Sequence, residues 1–456
     1  MALPVILIDS ATGSDTAASG AGPSTALTNT AAATNPAGTT VTLNAGTVLT
    51  GVSTTGSDVI YINDTTAGHR RFAKITGTSG SGGATPQVTV AEAFFGSLSG
   101  KTWAIGGKRA SLGSASSLLL IDNNSSDGDA MPGWTIEFQT GHTETFASSI
   151  NFYRSGTTAG LINVRGATGT PPVLTFSSDS NGMIVRGNAW SFSNLDGRNN
   201  SGSKTTSTFI VAVSGQTTLV LSGLKVAHAT DYFYRPLQFN GPLATMVVGC
   251  EIGYAADSNI YIDNAFTMGP FLVTDCYIHH ATIHGINQFS DAADGFVVQT
   301  SIIAANGGDG IKDANTSTSP RCSSIFIGNT FNANTSDGIE LTTVNPALIM
   351  QVKNNIFSNN GGYGLNFSNG SITAAIIDSL GTLILNNCFF TNTSGKYNPS
   401  GLNSLNEVTT NPDYANTGSG DYSVGANMAS LGYPVGGTLK VGGSSGTYSY
   451  VDIGAA

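Results

Sequence analysis

Apolar and polar residues alternate over a few positions at a time between Leu219 and Phe390, and polar turns separate these short runs. Such alternation is typical of β-strands with one buried face. One apolar position recurs with steps of 25, 28, 26 and 33 residues, at Ile278, Ile303, Phe331, Phe357 and Phe390. A second recurs with steps of 26, 25, 28 and 26, at Ile260, Ile286, Ile311, Ile339 and Leu365. Two positions that keep one period predict a repeat fold.

The length of the repeat indicates which repeat fold the chain adopts. About 25 residues can form three short strands and three turns, with a rise of one strand spacing of ~4.8 Å to the next turn. Parallel strands cannot be joined by tight hairpins, so the chain must wind. No leucine lattice and no helical period is present. We therefore predict an all-β parallel solenoid over residues 111–395, a β-rich N-terminal attachment or capping domain over 1–110, and a C-terminal capping segment over 396–456.

Two sets of residues occupy repeated slots. Asn306, Asn334 and Asn360 share a turn slot, where stacked amides can bond to one another along the solenoid axis. Cys250 and Cys276, together with Cys388, follow an aliphatic residue by three positions. We predict that these cysteines are small buried residues and not a disulfide framework, because the chain is long and equivalent slots point the same way into the interior.

The net charge and its distribution along the chain limit the classes of molecule that the protein can bind. The net charge is −10, and only 10% of residues are charged. Residues 1–235 hold 13 acidic and 13 basic residues, whereas residues 236–456 hold 15 and 5. An acidic surface repels phosphate, so we expect no nucleic-acid partner. We also expect no membrane insertion, because no segment approaches the length of an apolar span. The start lacks the basic region of a secretory signal, so release by lysis or a non-classical route is expected.

The repeated motif V-x-x-[C/S/N]-x-[I/F]-x-x-N followed by G-[I/L] resembles the turn of right-handed, single-stranded parallel β-helix proteins of the pectate-lyase-like superfamily. The ending, with GDYSVGANMASLG and YVDIGAA, resembles the closing segment common in such proteins. The opening residues, the small β-domain and GWTIEF also resemble structural proteins of tailed bacteriophages. These resemblances imply a right-handed solenoid and a role in a virion.

The candidate catalytic residues are Asp309, Asp337 and Glu340. Asp309 and Asp337 share a slot and should stack one turn apart, and carboxyl groups ~5 Å apart match the spacing in retaining glycosidases. The alternative, which we favour, is that Asp-Gly is a common turn pair and that Gly310 and Gly338 explain both aspartates. A calcium-assisted lyase, with Lys312 or Arg321 as base, is disfavoured because the pectate-lyase residue pattern is not met. We predict no cofactor and no metal.

The candidate glycan-binding residues are Tyr232, Tyr234 and Arg235, in the segment TDYFYRPLQF. Exposed aromatic faces stack on sugars, and an arginine can bond to hydroxyl groups. The alternative is ordinary strand packing, with Phe233 buried and the two tyrosines outside.

The combined observations predict a bacteriophage virion structural protein, an elongated appendage such as a tailspike, fibre or head decoration. We expect it to be made in the host cytoplasm, to form a homotrimer, and to contact other virion proteins and the host-surface polysaccharide. Two alternatives remain: a polysaccharide depolymerase acting as hydrolase or lyase, and a glycan-binding adhesin without catalysis. The enzyme question stays open, and the absence of an unambiguous catalytic motif favours a non-enzyme.

Overall fold

The computed structural model describes most of the chain. The described residues are 5–11, 27–33, 38–54, 58–63, 72–94, 98, 101–106, 108–112, 133–152, 155–157, 160–213, 218–240, 244–263, 270–288, 295–314, 323–342, 349–369 and 372–424. They divide into two compact units: residues 1–175 with 183–195, and residues 176–182 with 196–456.

The first unit contains a six-stranded antiparallel sheet, whose strands lie in the spatial order Leu27–Ala33, Lys101–Ile105, Val59–Asn63, Phe72–Ser79, Gln87–Phe94 and Gly38–Thr42. Its core includes Trp103, Phe94 and Ile60, all essentially inaccessible to solvent. Thr135–Phe138 pairs in parallel with both Val5–Ile8 and Ile162–Gly166. Further strands that lie wholly or partly in this unit are Lys108–Arg109, Thr143–Phe146, Ile150–Phe152, Val173–Phe176, Asn181–Val185 and Trp190–Ser193. Trp134 and Trp190 are buried, as the alternation around them predicts.

The second unit is a parallel β-solenoid with three sheets, which confirms the predicted fold. Sheet I contains Thr218–Ser222, Ala244–Val248, Phe271–Thr274, Phe296–Gln299, Ser323–Ile327, Ile349–Lys353, Leu383–Leu385 and Ser404–Leu405. Sheet II contains Asp196–Asn199, Lys225–Ala227, Glu251–Gly253, Tyr277–His279, Ile302–Ala304, Thr330–Asn332, Ile356–Ser358 and Cys388–Phe390. Sheet III contains Thr208–Ala212, Leu237–Phe239, Ile260–Ile262, Ile286–Gln288, Ile311–Asp313, Ile339–Leu341, Tyr363–Phe367 and Gly395–Asn398. From Thr218 to Asn398 the chain completes about seven turns.

Helix is scarce. Among the described residues there is one α-helix, Ala374–Ser379, capped by the Thr373 side chain, and one 3₁₀ turn, Thr417–Ser419. No helix in the described ranges has the length and apolar character needed to cross a bilayer.

Buried amides form two ladders along the solenoid. The predicted one is confirmed: Asn306 Nδ2 donates to Asn334 Oδ1 at 2.9 Å, and Asn334 Nδ2 donates to Asn360 Oδ1 at 3.0 Å. A second runs from Asn329 to Asn355 at 3.0 Å and from Asn355 to Asn387 at 3.1 Å. These bonds satisfy polar groups at corners where water has no access.

Two predicted slot assignments in the last turn are wrong by one residue. Phe389, not Phe390, pairs with Phe357, and their rings stack at 4.9 Å. Asn387, not Cys388, continues the corner ladder, because Ile384 and not Leu385 pairs with Val352. The longer last repeat, which contains the α-helix, and two adjacent phenylalanines made the register ambiguous. Cys250, Cys276 and Cys388 are nevertheless buried free thiols; Cys322 lies outside the described residues.

Residues 406–424, here called the C-terminal strap, cover the outer face of sheet II. Val408 and Val424 belong to a cluster with Ile356 and Cys388. Further along, Tyr422 packs on Tyr277, with ring centroids 6.0 Å apart. The strap thus runs back over several turns. Residues 425–456 lie outside the described range, so the predicted capping role of 396–456 stays a prediction.

We expect Asn334→Ala to lower the free energy of unfolding by about 3 kcal/mol, because it leaves several buried donors and acceptors unsatisfied at about 1–3 kcal/mol each. These include Asn306 Nδ2 and the Ile303 carbonyl. Equilibrium denaturant unfolding measures the change. Asn200→Ala, at an exposed position, is the control and should change stability by less than about 0.5 kcal/mol. Equal effects at both sites would contradict the ladder's role.

Candidate functional site

The candidate residues lie on one corner of the solenoid, where the chain passes from sheet II to sheet III. One slot of this corner, two residues before the first aliphatic residue of each sheet III strand, holds Arg235, Ser258, His284, Asp309, Asp337 and Tyr363. Backbone bonds tie successive turns here, since Gly285 N donates to Asp309 O at 3.0 Å and Gly310 N donates to Asp337 O at 2.9 Å. The acidic and aromatic candidates therefore belong to the same corner.

Asp309 and Asp337 hold adjacent turns together. The amide of Asp337 donates to Asp309 Oδ1 at 2.9 Å, and the amide of Tyr363 donates to Asp337 Oδ1 at 2.5 Å. Asn366 Nδ2 donates to Asp337 Oδ2 at 2.7 Å. The two aspartates are only 2% and 5% exposed. Their oxygens thus satisfy buried donors, as the favoured turn interpretation requires.

A lysine and a histidine compensate the negative charge. Lys312 Nζ contacts the Glu340 carboxylate and lies 3.9 Å from Asp309 Oδ2. His284 Nδ1 lies 3.1 Å from the Asp309 amide nitrogen and 3.2 Å from Asp309 Oδ2. Nδ1 accepts from the amide when it carries no proton and donates to the carboxylate when it carries one, so it makes one of the two contacts at a time.

The two aspartates differ in acidity. Burial disfavours the Asp309 carboxylate, but bonds from His284, the Asp337 amide and Ser336 outweigh it and lower the pKa of Asp309 to about 2. For Asp337, burial raises the pKa above its usual value, and the charges of Asp309 and Glu340 add to that rise against the bonds from Asn366 and Tyr363. Two neighbouring carboxyls with opposite shifts form the pattern that acid and base pairs use.

The carboxylate oxygens could also face a hard cation. One ligand atom from each of Asp309, Asp337 and Glu340 lies within 4.8 Å of the others. Calcium takes oxygen ligands in such sets, usually with six or more oxygens at about 2.3–2.6 Å. Here Lys312 contributes positive charge beside the same carboxylates, and amides take up the Asp337 oxygens. These residues fit a lysine-neutralised cluster better than a cation site.

The aromatic candidates lie in the same corner, in the turn before Leu237–Phe239. Phe233 is buried while Tyr232 and Tyr234 are half-exposed, as the alternation predicts. Arg235 is held firmly: Nε donates to Asp257 Oδ2 at 2.6 Å, and Cζ lies 3.5 Å from the centroid of the Tyr261 ring. Lys204 Nζ lies 5.4 Å from the centroid of the Tyr232 ring. The cluster combines aromatic rings with cations.

A row of outward side chains on sheet III connects the two groups. Successive strands place these residues opposite one another: Gln238, Tyr261, Asn287, Lys312, Glu340, Asn366 and Asn398. Each member can donate or accept hydrogen bonds, and neighbours are one strand spacing of ~4.8 Å apart. The row therefore places polar groups at even spacing beside Tyr234 and Arg235; Asn287 is buried, and the other six members are half-buried.

The sequence identified Asp309, Asp337, Glu340, Tyr232, Tyr234 and Arg235, but it did not single out Asp257, Tyr261 and Asn366 as their partners. A signal exists, because Tyr261 and Asn366 fill the polar position between two aliphatic residues of their strands. His284 lies in the turn before Ile286–Gln288 and contacts Asp309. Arg321 lies outside the described residues.

Solved structures with this fold include both polysaccharide enzymes and phage proteins. Pectate lyase Pel9A aligns with 15% identity and a TM-score of 0.47, covering 65% of this chain and 82% of that chain. The Dettilon tailspike aligns with 12% identity and a TM-score of 0.38, covering 60% and 53%. The Acinetobacter phage vB_ApiP_P1 tailspike aligns with 10% identity and a TM-score of 0.38, covering 61% and 56%. These likenesses concern the parallel β-helix fold alone.

Neither a protein-family model nor a curated protein sequence matches the chain.

We expect Asp309→Asn and Asp337→Asn to differ in stability at pH 7. Asp309→Asn removes the charge that faces His284 and Lys312 and should cost about 2 kcal/mol of unfolding free energy. Asp337→Asn removes a charge that burial and the neighbouring carboxylates disfavour, and the asparagine keeps one side-chain oxygen as a hydrogen-bond acceptor. This substitution should therefore change the unfolding free energy by less than about 1 kcal/mol. Denaturant unfolding at matched pH measures both.

The pH dependence separates the two groups further. The raised pKa of Asp337 means that the folded chain binds this proton more readily than the unfolded chain, so wild type should gain stability relative to Asp337→Asn as the pH falls from 7 towards the ordinary carboxyl value of 3.8. The lowered pKa of Asp309 acts the other way, and its stabilisation is lost only as the pH falls from the ordinary carboxyl value towards about 2. A constant difference between wild type and Asp337→Asn across the first window would contradict this assignment.

Proposed function

We propose that this chain is a structural component of a tailed-bacteriophage particle, an elongated β-helical appendage that contacts bacterial surface polysaccharide through sheet III and its neighbouring corner. The protein is made in the host cytoplasm, joins other virion proteins and is released by lysis. The sequence resemblances to phage structural proteins support the virion role. The observation that carries the polysaccharide contact is the cluster of Tyr232, Tyr234, Arg235 and Tyr261 beside the outward polar row.

The chemistry of the cluster suits a neutral glycan. Aromatic faces offer apolar surface to the C–H face of a sugar ring, and their phenol groups offer hydrogen bonds. Arg235 is positioned by Asp257 and Tyr261, so little of its side-chain freedom remains to be lost on binding. The half-buried members of the row, Tyr261, Lys312, Glu340 and Asn366, then offer hydrogen-bonding groups along a glycan chain that lies across the strands. Fixed groups at regular spacing favour a repeating polymer over a small ligand.

We expect the purified protein to retain host-surface polysaccharide in a glycan-array or pull-down assay. The double variant Tyr232→Ala/Tyr234→Ala should lose at least about tenfold in affinity, because stacked rings contribute on the order of 1 kcal/mol each. The matched control Tyr232→Phe/Tyr234→Phe keeps both ring faces and should retain most of the binding. Circular dichroism and thermal unfolding verify that all variants are folded.

The virion role is tested separately by imaging intact particles labelled with an antibody to this chain. Label on the particle surface supports the proposal. Particles that lack the chain would refute the virion role, and an Ala variant that binds as wild type does would refute the Tyr232/Tyr234 contact.

A second candidate function is polysaccharide cleavage at Asp309, Asp337 and Glu340. The favouring observation is the short distance among their oxygens together with the raised pKa of Asp337, which suits a general acid. This activity requires the carboxyls to reach a glycan, and their internal hydrogen bonds oppose that.

Cleavage is measured by the release of reducing ends or unsaturated sugars from host polysaccharide. If the second candidate is right, wild type releases them, while Asp337→Asn and Glu340→Gln lose at least about 100-fold in rate, the usual contribution of a general acid or base. We expect no release by wild type, with glycan binding intact. Release that persists unchanged in both variants would exclude these residues as the catalytic pair.

A further inference from the structure

The outer face of sheet I in the second unit is almost uncharged and carries a column of apolar side chains. One column of outward residues runs across successive paired strands: Val220, Met246, Leu272, Val297, Ile325, Gln351 and Leu383. Their neighbours in each strand point inward and are buried, for example Leu221, Val247 and Val298. Met246 is 42% exposed and Leu383 is 36% exposed. Six of the seven members of this column are aliphatic or methionine.

A second outward column lies two residues further along each strand. This column is mixed: it holds Ser222, Val248, Thr274, Gln299, Ile327, Lys353, Leu385 and finally Leu405, which is 56% exposed. Only one residue in the eight strands of sheet I, Lys353, is charged. An almost uncharged face with a continuous apolar column of this kind marks an interaction site.

The other two faces of the solenoid differ. The C-terminal strap covers the outer face of sheet II from Cys388 back to Tyr277. Sheet III presents the polar row described above. Parallel strands of the first unit, described on their own, carry polar groups outward, such as Glu137 and Arg165, which form an ion pair at 2.7 Å. An apolar exterior is therefore a property of sheet I in the second unit and not of every strand in the chain.

The size of this face suits a protein interface. Seven strands at ~4.8 Å spacing and about five residues per strand at ~3.3 Å give a flat area on the order of 500 Å². Accessible area exceeds flat area because side chains protrude, so the face approaches the ~600–800 Å² per partner that stable interfaces bury. One such face is enough to hold two chains together.

We propose that the occupant of this face is a second copy of the same chain. Each copy carries a net charge of −10, so copies repel one another unless they meet where charge is absent. Sheet I is such a surface. A basic partner would be attracted to the acidic residues elsewhere and would gain nothing from an uncharged face. Flat, apolar and uncharged surfaces also pair well with themselves in symmetric oligomers. This inference does not depend on the proposed glycan contact.

Charge placed at the centre of the face tests the proposal. Val297→Lys should convert the oligomer to a monomer in analytical ultracentrifugation or light scattering at micromolar concentration, because each interface would bury an unpaired ammonium group. The control Ser191→Lys, at an outward position of the first unit, should leave the mass unchanged. Circular dichroism and cooperative thermal unfolding show whether each variant is folded.

A milder variant decides the matter if Val297→Lys does not fold. Val297→Thr/Ile325→Thr keeps β-branched side chains and should raise the dissociation constant of the oligomer at least tenfold. Wild type that is monomeric at tens of micromolar overturns the proposal, whether or not another part of the chain covers sheet I. An oligomer whose mass and dissociation constant survive both sets of substitutions overturns it as well.

Discussion

The structure depends on one constraint: each turn of the solenoid rises by a single strand spacing, so every side chain stacks on the residue in the same slot one turn away. A polar group that enters a buried slot must therefore be satisfied by its own neighbours in the stack. Asparagine meets this requirement because its amide donates to the next turn and accepts from the previous one, as Asn329, Asn355 and Asn387 do. Phenylalanine meets it by stacking, as Phe331 and Phe357 do at 4.9 Å.

The same constraint shapes the acidic corner. Stacking brings Asp309 and Asp337 together, and like charges in neighbouring slots are unfavourable. The chain relieves this repulsion locally: His284 precedes Asp309 in the slot, and Lys312 faces both Asp309 and Glu340. The carboxylates also replace missing partners of backbone amides at the turn. The opposite pKa shifts of the two aspartates thus arise from stacking, and they would occur without any catalytic requirement.

Sequence periodicity predicted much of this. The alternation of apolar residues and the constant step between Ile260 and Leu365 were enough to predict a parallel solenoid, and the slot shared by Asn306, Asn334 and Asn360 predicted the amide ladder. The register failed at Phe390 and Cys388, since a longer last repeat removes the constant step. At the corner, the sequence placed Asp309 and Asp337 together but could not reveal that Asp257 and Tyr261 hold Arg235, because those contacts join different turns and sheets. Periodicity predicts which residues stack in the same slot, but it does not predict the side-chain contacts between different slots at a corner.

The outward positions are free of the stacking constraint that governs the interior. The residue types there therefore reflect whether each face contacts solvent or protein. The C-terminal strap covers sheet II, and accordingly the outward residues of that sheet from Tyr277 to Cys388 are buried or half-buried. Sheet III keeps groups that water can solvate, and it holds Arg235 and Tyr261 in fixed positions without covering them fully. Sheet I keeps valine, leucine and isoleucine, which water solvates poorly. Because the apolar and polar rows lie on different sheets, association through sheet I leaves sheet III accessible, and the two surfaces can serve assembly and ligand contact at the same time.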